Sequence, residues 1–121
     1  MKKREYELNG LTLEINMNDA DFAKKYEEAF EALVSEGNQI GKMKDEGKKQ
    51  HEIITAYCNA FYHLFDNIFG PGTGDKLFGG KHDAGACEEV YGDFLEICRT
   101  QTAEAKKRRE SIIAGNFRRE V

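Results

Sequence analysis

Residues 69–81 read FGPGTGDKLFGGK, and whether this glycine-rich stretch cradles a phosphate or turns corners decides the fold. A phosphate loop of the G-x-x-x-x-G-K-[ST] type lies between a strand and a helix, with a hydroxyl after the lysine to reach magnesium. Counted from Gly70, the second glycine position holds Asp75, and Lys76 is followed by Leu77. Gly79-Gly80-Lys81 lacks a partner glycine at the right spacing and runs into His82. The preceding segment, NAFYHLFDNIF, carries helical spacing, and an aspartate beside the lysine repels an anion. The stretch therefore reads as punctuation between helices. Gly70 closes one helix in a left-handed conformation, and Pro71 cannot continue it. After Gly72, Thr73 caps a single short turn whose Leu77 and Phe78 fall back onto the core. Gly79 and Gly80 make the next corner, and Asp83 caps the helix that follows.

Upstream of this corner, residues 50–69 place Ile53, Ile54, Tyr57, Cys58, Phe61, Leu64, Phe65, Ile68 and Phe69 on a wide apolar arc. That helix is expected at the centre of the core. Downstream, a helix over 84–98 puts Cys87, Val90, Tyr91, Phe94, Leu95 and Cys98 on one side. At the N-terminus, YELNGLTLEI (6–15) alternates on both sides of Asn9-Gly10, the strongest short signal for a β-hairpin, expected over 5–16. Two strands alone are marginal in water, so the ribbon needs an apolar support or another chain. Asn18 or Asp19 caps a helix over 19–36 with Phe22, Tyr26, Phe30, Leu33 and Val34 on its inner face, and Gly37 is read as its stop. Residues 38–50, NQIGKMKDEGKKQ, show no sustained period and are expected to form a long exposed loop.

The chain of 121 residues fits one domain. The fold class expected is α+β and mostly helical, with the N-terminal hairpin packed on three main helices in a single globular domain over 1–98. A basic helical tail over 99–121 completes it. Charge is segregated along the chain. Seven of the 18 Lys and Arg and three of the 22 Asp and Glu fall from Arg99 onward, leaving 11 basic against 19 acidic groups in the first 98 residues. The basic end complements a helix dipole and equally suits an interaction tail. Lys106, Arg108 and Arg109, followed by Ile112, Ile113 and Phe117, form the candidate partner-binding surface. Gly70, Pro71, Gly72, Thr73, Gly79 and Gly80 are assigned to a structural loop.

Other chemistries find little support in the spacing. The apolar runs are too short and too interrupted to span a bilayer. MKKREYEL has a basic start with no apolar stretch behind it, so no signal peptide is expected, and the three cysteines are expected as reduced thiols. The three histidines and three cysteines contain no C-x-x-C or H-x-x-x-H pair, and Cys58 and His63 fall on different helix faces. No metal or other cofactor is expected. Cysteine, histidine and carboxylate are present, but their order does not bind them into a nucleophilic triad. An acidic body with core aromatics is not expected to bind nucleic acid. A basic helix ending in large apolar residues reads as a dock for another protein.

The order of parts carries a resemblance. The N-G hairpin, the acidic helix DADFAKKYEEAFEAL and the aromatic helix running into its glycine corner resemble a group of small proteins encoded by siphophages and prophages of Firmicutes. In that group FFD, FG, GT and FGG recur in this order. Here they stand as Leu64-Phe65-Asp66 (with leucine at the first position), Phe69-Gly70, Gly72-Thr73 and Phe78-Gly79-Gly80. The likeness covers residues 6 to 98 and leaves the basic tail outside. The group sits among tail genes and is similar in size and helical content to tail assembly chaperones, which coat the tape measure protein until tail tube subunits displace them. The resemblance implies a non-enzymatic protein of the host bacterial cytoplasm whose partner is the tape measure protein. Self-association is expected separately, because a marginal hairpin and a helix that outruns its domain both invite a second copy. The alternative is a small phage protein that binds and inhibits, or is sensed by, a host antiviral defence protein.

Overall fold

The computed structural model describes residues 4–117, with side chains through residue 115. Strands β1 (Glu5–Leu8) and β2 (Leu11–Glu14) pair antiparallel, Tyr6 opposite Leu13 and Leu8 opposite Leu11. Asn9 and Gly10 take φ of 47° and 85°, the two left-handed positions that a two-residue hairpin turn demands. Helix α1 spans Ala20–Met43, α2 Gln50–Phe69, α3 Thr73–Phe78 and α4 Ala84–Ile112, and a π-helical turn follows over Ile113–Phe117. The expected class, α+β and mostly helical with an N-terminal hairpin, is the one observed.

Helix α2 lies at the centre, as its apolar arc requires, and buries Cys58, Ala60, Phe61, Tyr62, Leu64, Phe65 and Ile68. Phe65 meets Phe94 of α4 edge-on, with ring centroids 5.3 Å apart. Phe69 touches the same Phe94 ring at 5.9 Å and Phe22 of α1 at 5.9 Å. Such tilted and edge-on pairs contribute about 0.5–1.5 kcal/mol each beyond the area they bury. The hairpin adds Leu8 and Ile15, both buried, to this same core. It is thereby joined to the layer that a free two-stranded ribbon lacks.

Several boundaries differ from the sequence expectation. Helix α1 does not stop at Gly37 but runs on to Met43, so the long loop expected over 38–50 contracts to residues 44–49. Each glycine within a helix costs about 1 kcal/mol relative to alanine. Glu36, just before Gly37, is tied to α2 by the 2.9 Å bond between its Oε2 and His63 Nδ1, and half-buried Ile40 and Met43 of the extension face α2 across a shared groove. The stop comes later, where Gly47 takes φ 78° and the Lys48 N–H donates to Met43 O at 3.0 Å. Val34, read as core, is 63% exposed. Helix α4 continues through residue 98 without a break, and both Gln101 and Ala105 are buried. The basic tail thus begins as a load-carrying part of the fold and leaves it only after Ala105.

Candidate functional site

The glycine corner is a packed joint. Asp66, near the end of α2, turns its Oδ1 to accept from the Gly74 N–H at 2.7 Å, satisfying a free donor at the start of α3. Thr73 is not the cap expected of it. It is the first residue of α3, and its hydroxyl donates back to Gly70 O at 2.8 Å. Gly70 closes α2 with φ 114° and ψ 157°, a mirror-extended conformation rather than the left-handed helical one. Leu77 and Phe78 return to the core, and Asp83 Oδ1 accepts from Ala86 N–H at 3.1 Å, both as expected. Pro71 is exposed, and Gly79 and Gly80 turn the next corner with φ 65° and 74°.

Three further contacts lock this joint. Asn9 Nδ2, at the hairpin tip, donates to Leu77 O at 2.6 Å. The Tyr62 hydroxyl donates to Lys81 O at 2.6 Å. His82 stacks on the Tyr62 ring and lies 2.7 Å from Asn59 Oδ1. A carboxylate already occupies the amide end of α3 where an anion would have to sit. The corner is structural in its geometry as well as in its spelling.

The thiols are packed inside the core. Cys58, Cys87 and Cys98 are free and buried. Burial, and then the neighbouring Cys58, push the Cys87 thiol up to about 12, and burial alone pushes Cys98 up to about 12. A thiol held protonated is a poor nucleophile and metal ligand. Among the described residues, no three of His, Cys, Asp and Glu come together as a metal-holding group. Tyr57 donates to Glu88 at 2.6 Å, and that bond foremost, with burial second, raises its phenol to about 12. A groove of about 630 Å³ between the end of α1 and α2 is lined by Glu36, Ile40, Met43, Ala56, Asn59 and His63. It is open to solvent.

The basic end of α4 is the part left over by the fold. Its root is fixed by Gln101, a residue the sequence reading passed over. Gln101 Nε2 donates to Ile15 O at 2.8 Å and to the Tyr6 hydroxyl at 2.9 Å, while its Oε1 accepts from Met17 N–H at 2.8 Å. One turn on, Ala105 is buried, and from Lys106 to Gly115 every residue is exposed. Arg108 reaches back to Asn18 Oδ1 at 3.0 Å, whereas Lys106 and Arg109 point into solvent. Ile112 is 48% and Ile113 47% exposed. With Val34 they are the exposed large apolar residues among those described. Phe117 ends the described backbone, and its side chain lies outside the described residues.

Together these features define a small, mostly helical α+β protein whose buried chemistry is spent on packing and whose C-terminal helix extends past its core. The chain belongs to DUF6673, a family of unknown function, whose model matches residues 9–118. The match takes in the turn of the hairpin, all four α-helices and the basic end, so that end lies within the family's own span. No curated protein matches the chain. No solved structure matches it either. Among the described residues, no helix is long and apolar enough to cross a membrane.

Proposed function

We propose that this chain is a non-enzymatic factor of phage tail morphogenesis, a tail assembly chaperone that holds the tape measure protein in the cytoplasm of the infected bacterium. The observation that carries the reading is the end of α4, which runs about 12 Å past Ala105 to Ile113 with half-exposed isoleucines among basic residues. A chaperone for a long helical client needs modest affinity repeated many times, so that tail tube subunits can displace it. A short apolar and basic helix end supplies that, because two isoleucines bury little area and surface charges contribute weakly. The resemblance of the glycine-corner sequence to proteins encoded among tail genes supports the same assignment.

Co-expression with the tape measure protein of the same phage, followed by purification through a tag on this chain, tests the reading. The expected result is co-purification, with the tape measure soluble only in this chain's presence. Replacing Ile112 and Ile113 by serine is expected to abolish it while the far-ultraviolet circular dichroism stays unchanged. A tape measure indifferent to this chain overturns the assignment. The tagged chain would then be used to test the alternative, a host defence protein as partner.

A further inference from the structure

Val34 and Ile113, two of the three exposed large apolar residues among those described, lie on helical stripes that match each other in length and oppose each other in charge. On α1, Glu27, Glu31 and Val34 recur at helical spacing on the solvent side, and all three are exposed. On α4, Lys106 and Arg109 run up to Ile113, the first residue past its end, with Glu110 on the same face; all four are exposed, and the stripe stays net positive. Each set spans seven residue steps, about 10.5 Å of helix. Laid side by side in the same direction, the stripes set Glu27 against Lys106, Glu31 against Arg109, and Val34 against Ile113. None of the four charged residues forms an ion pair among the described residues.

We propose that the end of α4 docks on the α1 stripe of a second copy of this chain, in a head-to-tail contact. The charges rule out either stripe facing its own copy; a two-fold pair that seats each α4 end on the other copy's α1 satisfies them equally, and growth past a dimer separates the two. Like surfaces facing each other would set Glu27 and Glu31 against glutamates, or Lys106 and Arg109 against cations, and like charges at contact repel. Made on one side only, the contact leaves one of each patch free on the pair, so it propagates into short open chains or closes as a ring. Two turns of helix on each side fall well below the roughly 800 Å² per partner of a stable interface. The association is therefore weak, dependent on concentration, and reduced by salt as the Debye length shortens from about 30 Å at 0.01 M to about 3 Å at 1 M. It uses the same end of α4 as the client reading above, and a client arriving there displaces the neighbouring copy. No client enters the test, so either reading can fail alone.

Sedimentation velocity of the full chain from low micromolar to millimolar concentration is the measurement. The expected result is an average mass that rises with concentration and falls back with added salt. Two variants separate the surfaces: Lys106→Gln/Arg109→Gln/Ile113→Ser on one, Glu27→Gln/Glu31→Gln/Val34→Ser on the other. All six positions are exposed, so both variants are expected to keep the wild-type circular dichroism spectrum. Each alone is expected to associate at least about tenfold more weakly, a loss of about 1.4 kcal/mol in the contact. Mixed in equal amounts, they retain one intact patch each and are expected to form pairs that grow no further. A wild type that stays monomeric across the range, or one whose mass stops at a dimer, overturns the proposal. So does a variant that still associates alone, which marks a symmetric contact or one elsewhere, and so does failure of the mixed variants to pair when the wild type associates.

Discussion

Gly74 shows how much of the corner rests on a missing methyl group. A Cβ at this position would lie 2.9 Å from Tyr62 Cα and 3.0 Å from Tyr62 O, which is backbone of α2 and cannot step aside. Gly74→Ala is therefore expected to force α3 off α2 and destabilise the protein by about 1–3 kcal/mol. Gly92 is the contrast. It is exposed within α4, and a Cβ there meets nothing within 4 Å. Gly92→Ala is expected to stabilise by about 0.5–1 kcal/mol, because alanine loses less backbone freedom on entering a helix. Urea unfolding of the two variants beside the wild type checks both signs, and a neutral Gly74→Ala would mean that α3 is free to shift. In the sequence the two glycines look alike. Only the approach of Tyr62, twelve residues upstream, separates them, and side-chain spacing within one helix does not report a contact between two.

The same blindness to distance explains what was and was not legible at the level of elements. Period-3.6 apolar runs and the Asn9-Gly10 turn specified the existence and type of the hairpin and of α1, α2 and α4. The ends were harder. Gly37 reads as a stop because glycine lowers helix propensity, yet α1 runs on to Met43, with Ile40 and Met43 half-buried beside α2, a tertiary neighbourhood that local propensity does not report. Gln101 stands in the polar run RTQTAEAKK and has no local signal, because its partners are backbone groups 84 and 86 residues away. The residues named for the candidate site at the end of α4 were legible from charge and apolarity, whereas the root that holds the helix was not. A truncation after residue 98 is expected to release the hairpin rather than trim a tail. Amide hydrogen exchange at Leu8, Leu11, Leu13 and Ile15 is expected to accelerate strongly in that variant, while truncation after residue 110 leaves it at wild-type rates. The single replacement Gln101→Leu leaves Ile15 O and Met17 N–H without their partner and is expected to cost about 1–3 kcal/mol. Equal protection of the hairpin in both truncations would show that the core supports it without the part of α4 beyond Cys98.

For the molecule as a whole, the buried thiols and phenols set where stability is lost with pH. Cys87 and Cys98 are raised from 9.0 to about 12, and Tyr57 from 10.0 to about 12, while burial raises Tyr26 and Tyr62 in the same direction. In each case the folded chain holds its proton more tightly than the unfolded chain. Below about 9 these groups are protonated in both states, and their contribution does not vary with pH. Between 9.0 and about 12 the unfolded state releases its protons first, so it binds fewer and stability falls as pH rises. These groups contribute no corresponding loss on the acid side. Urea midpoints measured across that alkaline window are therefore expected to decline steadily. Cys98→Ala removes one titrating group and is expected to flatten the decline, even though it starts from a lower midpoint through lost packing. A midpoint that stays level through the window would mean that water reaches Cys87, Cys98 and Tyr57 in the folded state, and that the core around Phe65 and Phe94 opens more readily than its burial implies.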